Sequence, residues 1–311
     1  MGEFMDRENL NKYLCILDYK DLPSEILKYL SCPSLERLKK VGYFCGMDYA
    51  SKDIYDFKEK ISRFDHSLTV ALITWNLTKN MKATLAGLFH DVSTPCFSHV
   101  IDYMNNDHEN QESTEEKTED IIRNDKLLLK YLDEDNILVD DIIDFKRYSI
   151  VDIDRPMLCA DRLDGVILTG MYWTKNIDIN DVYNILSNII VVNNENNNLE
   201  ISFKNKEIAQ LVLDTSELID IYCHSKEDNY MMELLAKITR IAINKKIITY
   251  DDLYVLDEEE IINRLNNSSD IDIINNLNLF KNITKDLIDD IEMPKIKIRN
   301  LNPLVNNRRL K

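Results

Sequence analysis

Apolar residues recur at intervals of three and four over most of this chain. Leu27 to Val41, Asp65 to Lys79, Met81 to Val92, Thr114 to Leu132, Met157 to Met171, Lys206 to Cys223 and Asp228 to Asn244 all carry that spacing, which marks helices with one buried face. The fold class is therefore mainly α. Ser187 to Lys204 breaks the pattern: "NIIVV" and "LEISF" flank the polar "NNENNN". Two short β-branched runs around an Asn-rich turn predict a small β-hairpin docked on the helices; an Asn-rich insertion without fixed structure is the competing reading. Further on, "TYDDLYVLDEEEIINRL" predicts a pair of short helices opened by acidic caps. The last stretch, "MPKIKIRNLNPLVNNRRLK", holds two prolines, alternation and clustered positive charge. It is expected to run extended along the body or to reach a partner.

Composition narrows the function classes. The 311 residues include 55 acidic and 38 basic side chains, a formal net charge of −17. Such a balance argues against coating nucleic acid or an anionic membrane, because phosphate binding needs clustered Lys and Arg. An anionic substrate would need a local positive site, from basic side chains or a bound cation. The 6 glycines form no phosphate-cradling loop. The 6 cysteines are dispersed with no CxxC pair, which reads as reduced thiols in a cytoplasmic protein. No apolar run reaches the roughly 20 residues that span a bilayer; the nearest, around Met157 to Trp173, carries Asp161, Arg162 and Asp164.

The chemistry gathers around four of the 5 histidines, His66, His90, His99 and His108. Met81, Leu85, Leu88, Phe89 and Val92 form the apolar stripe of one helix, and Asp91 lies on its edge. A carboxylate there costs several kcal/mol unless it is paired or ligates a cation. His90 shares a target with it only at the helix end. Asp161 and Asp164 sit in a helix that is greasy on most sides, with Arg162 turned about 100° away from Asp161. Ser62 and Asp65 form a capping-box pattern that places His66 in the first turns of a long buried helix. Two imidazoles and two carboxylates on three helices suit a divalent transition metal such as Mn, Fe, Ni or Zn. Taken singly, the same residues also read as a helix cap, a surface ion pair and a salt-bridged acid.

The order His, His-Asp, Asp resembles the HD superfamily of metal-dependent phosphohydrolases. "SRFDHSLTVA" followed by "AGLFHDVSTPCFSHVID" is similar to its deoxynucleoside triphosphate triphosphohydrolase branch, and "CPSLERLKKVG" resembles the segment ahead of that branch's first motif. The resemblance covers roughly residues 30–170 and implies an HD-domain helical bundle, taken as residues 1–175; the residue pattern adds a helical part with the Asn-rich hairpin at 176–293 and an extended basic tail at 294–311. It implies metal ligands His66, His90, Asp91 and Asp161, and Arg63 as a phosphate contact. It also implies His99 as a substrate or leaving-group contact and Asp102 as an orienting carboxylate.

A bound cation would lower the pKa of a water, supply the nucleophile that attacks phosphorus and neutralise a phosphoryl oxygen. The expected partner is a small-molecule nucleotide, with no membrane and no nucleic acid. The oligomeric state stays open, a homo-oligomer included.

Two departures count against that branch. Thr94 stands where the family commonly has a histidine three residues after the Asp. The downstream histidine-bearing segment is replaced by Asn110, Gln111 and Glu112, with His108 slightly early, so Glu112 or Glu115 becomes the alternative carboxylate. Thr94 also replaces the lysine of the cyclic-dinucleotide phosphodiesterase branch. "CADRLDGV" resembles the metal-bearing helix of guanosine tetraphosphate hydrolases, and a nucleoside monophosphatase or phosphodiesterase could use the same ligands. The reading from a different class is a non-catalytic metal or nucleotide sensor, or a scaffold.

Overall fold

The computed structural model describes residues 7–109, 113–288 and 295–311. After α1 (Glu8–Ile16) the chain makes short turns instead of one helix from Leu27 to Val41: α2 (Ser24–Leu27), a 3-10 turn over Lys28–Ser31, and α3 (Pro33–Leu38). Pro33 accounts for the break, because its ring disfavours helical backbone at the residue before it, and Cys32 is extended at φ −64° and ψ 131°. α4 (Arg63–Thr78) starts as predicted. The Ser62 side chain accepts from the Asp65 amide, and the Asp65 carboxylate accepts from Ser62 N at 2.7 Å. Arg63 to Thr74 are all buried, so α4 is the central helix of the bundle. α5 (Met81–Phe89) follows from an Asn80 cap and packs against it.

α6 (Val100–Asn105) comes next. The expected helix from Thr114 to Leu132 is two, α7 (Thr118–Asn124) and α8 (Lys126–Glu134). Asp125 divides them: one oxygen caps α8 by accepting from Leu127 N and Leu128 N, and the other accepts from the amide and hydroxyl of Ser34. After α9 (Asp140–Ile143), α10 (Ala160–Thr169) is shorter than the periodicity suggested and widens into a π turn at Gly170–Thr174. A Cβ on Gly170 would lie 2.8 Å from Ile177, so only glycine allows this approach. α11 (Ile179–Asn188) opens with a capping box from Asp178.

The hairpin forms where predicted. β1 (Ile189–Asn193) runs antiparallel to β2 (Leu199–Phe203), with Ile189 opposite Phe203 and Asn193 opposite Leu199. The Asn194 side chain accepts from the amides of Asn196 and Asn198 and holds the turn. α12 (Lys206–Cys223), α13 (Lys226–Asn244), α14 (Asp252–Val255), α15 (Glu258–Asn266) and α16 (Ile271–Asn282) complete the helices. The tail then runs extended along the body. Its strands β3 (Leu304–Val305) and β4 (Arg308–Arg309) extend the sheet in the order β1-β2-β3-β4, β3 lying parallel to β2. Arg309 neutralises the fully buried Glu200 at 2.5 and 2.8 Å, and Glu200 in turn accepts from Leu158 N at 3.1 Å.

Two apolar cores result. One unites α1, α4, α5, α8, α10, α12 and β2; the other unites α6 and α13 to α16 with Val41, Met47 and Tyr55. The turn Cys96–Phe97 belongs to the second core, and the helices carrying His66, His90 and Asp161 belong to the first. Among the described residues no helix is long and apolar enough to cross a membrane.

Candidate metal centre

Three helix ends converge on one point. His66 lies one turn into α4, His90 closes α5, and Asp161 occupies the first turn of α10. His66 Nε2 is 3.0 Å from Asp161 Oδ1, and His90 Nε2 is 3.6 Å from the same oxygen. Asp91, one residue past His90, puts its two oxygens 3.8 Å from the two Nε2 atoms. Ligand atoms of His66, His90 and Asp161 all lie within 4.8 Å of one another and could hold a metal ion.

The outer nitrogen of each imidazole is held. His66 Nδ1 meets Asp164 Oδ2 at 2.6 Å, and His90 Nδ1 donates to the Gly87 carbonyl at 2.7 Å. Both bonds orient Nε2 inward, the arrangement that second-sphere acceptors impose on metal-bound histidines. His90 Nε2 is buried and has no hydrogen-bond partner, an expense that a cation would remove. The donor set of two imidazoles and two carboxylates therefore fits a divalent transition metal.

Electrostatics point the same way. Burial opposes a charged His66, yet hydrogen bonds to Asp161 and Asp164 outweigh it and push its pKa up to about 10. Burial would raise Asp161, but the hydrogen bond to His66 and the nearby His90 imidazole hold it well below the usual carboxylate range. Asp91 is likewise lowered against its burial by His90, Arg63 and His66. A field that binds a proton this firmly between carboxylates is one in which a metal ion competes for the same place.

The cluster opens on one side. Asp161 keeps 35% of its side chain exposed and borders a cavity of about 260 Å³. Arg63 reaches that cavity with its guanidinium fixed three ways: Nη1 on Asp91 at 3.0 Å, Nε on the Ser98 hydroxyl at 3.1 Å, and Nη2 on the Tyr43 carbonyl at 3.3 Å. His99 also lines it, its Nδ1 held at 2.8 Å by the fully buried Asp102. Phe44 and Phe57, stacked at 4.2 Å, form an aromatic wall with Trp173. Arg155, Arg162 and Arg299 add positive charge. Burial and the two neighbouring guanidiniums push Arg155 down to about 10, and among the described residues it has no carboxylate partner.

Residues 63–169 match the HD domain family. That span holds Arg63, His66, His90, Asp91, His99, Asp102 and Asp161, and HD domains bind divalent metals and are generally metal-dependent hydrolases. The chain is also similar to the uncharacterized protein YdhJ of Bacillus subtilis (strain 168), at 28% identity over 262 residues, 80% of this chain and 75% of that protein.

Within the matched span the departures can now be placed. Thr94 is buried, and its carbonyl accepts from Arg37 at 2.6 Å. His108 packs edge-on against Tyr103 and does not line the cavity. Glu115 is exposed and pairs with Lys146 at 2.9 Å, so it is not the substitute carboxylate. Asn110, Gln111 and Glu112 lie outside the described residues. Asp164 gained no role from the sequence, although its position three residues after Asp161 on one helix was the signal that could have given it one. Arg155, Asp228 and Arg299 reach the cavity from distant segments that no local pattern connects.

Proposed function

We propose that this chain is a metal-dependent phosphohydrolase acting on a nucleotide or related phosphate ester, with His66, His90, Asp91 and Asp161 as metal ligands. The observation that carries the reading is His90 Nε2: buried, unpartnered, and aimed with His66 Nε2 at the carboxylate of Asp161. Bound there, a divalent ion supplies Lewis acidity and an acidified water.

The side chains do the rest. Arg63, locked by Asp91 and Ser98, presents a fixed charge to a phosphoryl oxygen at the cavity face. Asp102 accepts the Nδ1–H of His99 and so leaves Nε2 to contact the phosphate or protonate the leaving oxygen. Asp102 is thus a positioning residue and His99 the catalytic one. The aromatic wall suits a base, and the additional arginines supply the local positive charge that a chain of −17 needs for an anionic substrate. The "RFDHS" and "PCFSH" contexts make deoxynucleoside triphosphates the first substrates to try. The expected setting is the cytoplasm.

The test is metal analysis of the wild type beside a His90→Ala/Asp91→Ala double variant, each incubated with mixed nucleotides and Mn²⁺ and the phosphate products identified. Near-stoichiometric metal with release of phosphate, pyrophosphate or triphosphate by the wild type alone supports the reading, and the product names the reaction. No metal in the wild type refutes the ligand set. Metal without turnover refutes the enzyme and leaves a sensor or scaffold.

A further inference from the structure

Behind the turn that carries His99 lie two carboxylates that the proposed chemistry does not use. Glu258, the first residue of α15, is fully buried, and its Oε1 accepts from Phe97 N at 2.9 Å. Its Oε2 is buried without a partner, and so is Asp48 Oδ2. Both face Gly42: a Cβ there would lie 2.9 Å from Glu258 Oε2 and 3.1 Å from Asp48 Oδ2. A side chain at position 42 would fill the space these oxygens occupy.

The turn itself is costly. Phe97 and Ser98 are both left-handed, at φ 65° and 46°, a conformation that non-glycine residues keep only where their surroundings over-determine it. Three clamps come from one distant segment: Cys96 N donates to the Leu253 carbonyl at 2.7 Å, Cys96 Sγ to the Leu256 carbonyl, and Phe97 N to Glu258. What they fix is the active face. Ser98 Oγ accepts from Arg63 Nε, and His99 follows directly.

We infer that Glu258 is a positioning residue for the site, its carboxyl locking the left-handed turn at Phe97–Ser98 and so setting His99 and Arg63. The kinetic consequence rests on the hydrolase reading; the structural one does not. Around the Glu258 carboxyl stand Asp48, Lys60, Arg37, Cys96 and Tyr49. Burial, with the Asp48 charge beside it, outweighs the Phe97 amide and leaves its pKa raised to about 7. A neutral isostere is therefore expected to serve: glutamine keeps an acceptor for Phe97 N–H and turns a donor toward Asp48.

The experiment compares wild type, Glu258→Gln, Glu258→Asp and Glu258→Leu in the full chain. It reads amide exchange of Phe97, bound Mn²⁺ and nucleotide turnover. Leaving the buried Phe97 N–H without its acceptor predicts about 10- to 100-fold faster exchange at Phe97 in the Leu and Asp variants. Turnover should fall by a comparable factor in kcat, with bound Mn²⁺ unchanged. Glu258→Gln should stay within about threefold of wild type on every readout. The inference is overturned if Asp or Leu at 258 leaves Phe97 exchange at the wild-type rate, or if Gln is as damaging as Leu. Should the Leu variant not fold, the Asp variant, which only withdraws the acceptor, decides. Should the wild type turn over no nucleotide, the hydrolase reading fails alone and Phe97 exchange still judges Glu258.

Discussion

Asp164 holds His66 by its outer nitrogen at 2.6 Å while accepting the Tyr13 hydroxyl at 2.5 Å on its other oxygen. The carboxylate is fully buried, so those two donors fix it and it fixes the imidazole. Asp164→Asn should lower metal affinity by about 10- to 100-fold, the usual cost of losing an acceptor behind a ligating histidine. Tyr13→Phe should cost less, because one bond to Asp164 remains. A metal titration that finds Asp164→Asn equal to wild type would remove Asp164 from the site.

His90 offers the opposite balance. Its Nε2 bonds to nothing in the protein, so His90→Ala gives up the bond to the Gly87 carbonyl, about 1 kcal/mol, and the edge-on packing against Phe145. Thermal melts without added metal should therefore differ by only a few degrees. Added Mn²⁺ should raise the wild-type Tm and leave the variant unmoved. A metal-induced rise that survives in His90→Ala would place the ion elsewhere.

His99 and Asp102 should separate turnover from metal binding. His99→Gln is expected to reduce kcat by about 10²- to 10⁴-fold with bound metal unchanged. Asp102→Asn should reproduce part of that loss, since it leaves the imidazole in place with a poorer Nδ1 acceptor. Equal kcat for wild type and His99→Gln would confine His99 to a structural role.

Glu258 predicts a pH dependence whose sign is fixed. Its folded-state pKa of about 7 lies above the ordinary 4.5, so the folded chain binds this proton more tightly than the unfolded one. Stability from this group is complete below about pH 4.5 and is lost as pH rises through 7, by an amount on the order of 3 kcal/mol. Glu258→Gln lacks the loss. Its advantage over wild type in urea midpoints should grow from pH 5 to pH 8; a constant difference would show that Glu258 does not titrate in this range.

Arg309 tests the tail. Removing it leaves Glu200 buried with an uncompensated charge, which typically costs about 3–5 kcal/mol. Glu200 also caps Leu158 N, two residues before α10, so Arg309→Ala should lower both the unfolding free energy and metal affinity. Replacing Arg309 and Glu200 together by apolar residues should restore much of the stability. A single-variant loss below about 1 kcal/mol would make the pair a surface ornament.

Much of the bundle was legible because its signals are local. The Ser62–Asp65 box, the strict periodicity of Lys206–Cys223 and the two β-branched runs around the Asn turn each act within a few residues, and each sits where the pattern puts it. The misses fall where a distant group decides. Asp125 ends one helix and starts another, with Ser34 as a distant partner for its second oxygen, and the π turn after α10 begins at Gly170, where Ile177 leaves no room for a Cβ. Within the site, the convergence of His66, His90 and Asp161 follows an order readable along the chain. Arg155, Arg299 and Glu258 were invisible because each is placed by a contact to another segment, Arg155 on the Asn300 carbonyl, Arg299 beside Asp220 and Asp228, and Glu258 on Phe97, and no periodicity links these.

The cavity beside Asp161 is walled in part by Ile296 and Arg299, on the stretch that β3 and β4 pin to β2. During synthesis the convergent His66, His90 and Asp161 emerge long before that wall. If the proposed ligand set is right, the residues that would hold the ion are made before the residues that close the cavity beside them. On that reading the order of synthesis separates the ligand cluster from its chamber, and turnover would require the C-terminal stretch as well as the ion.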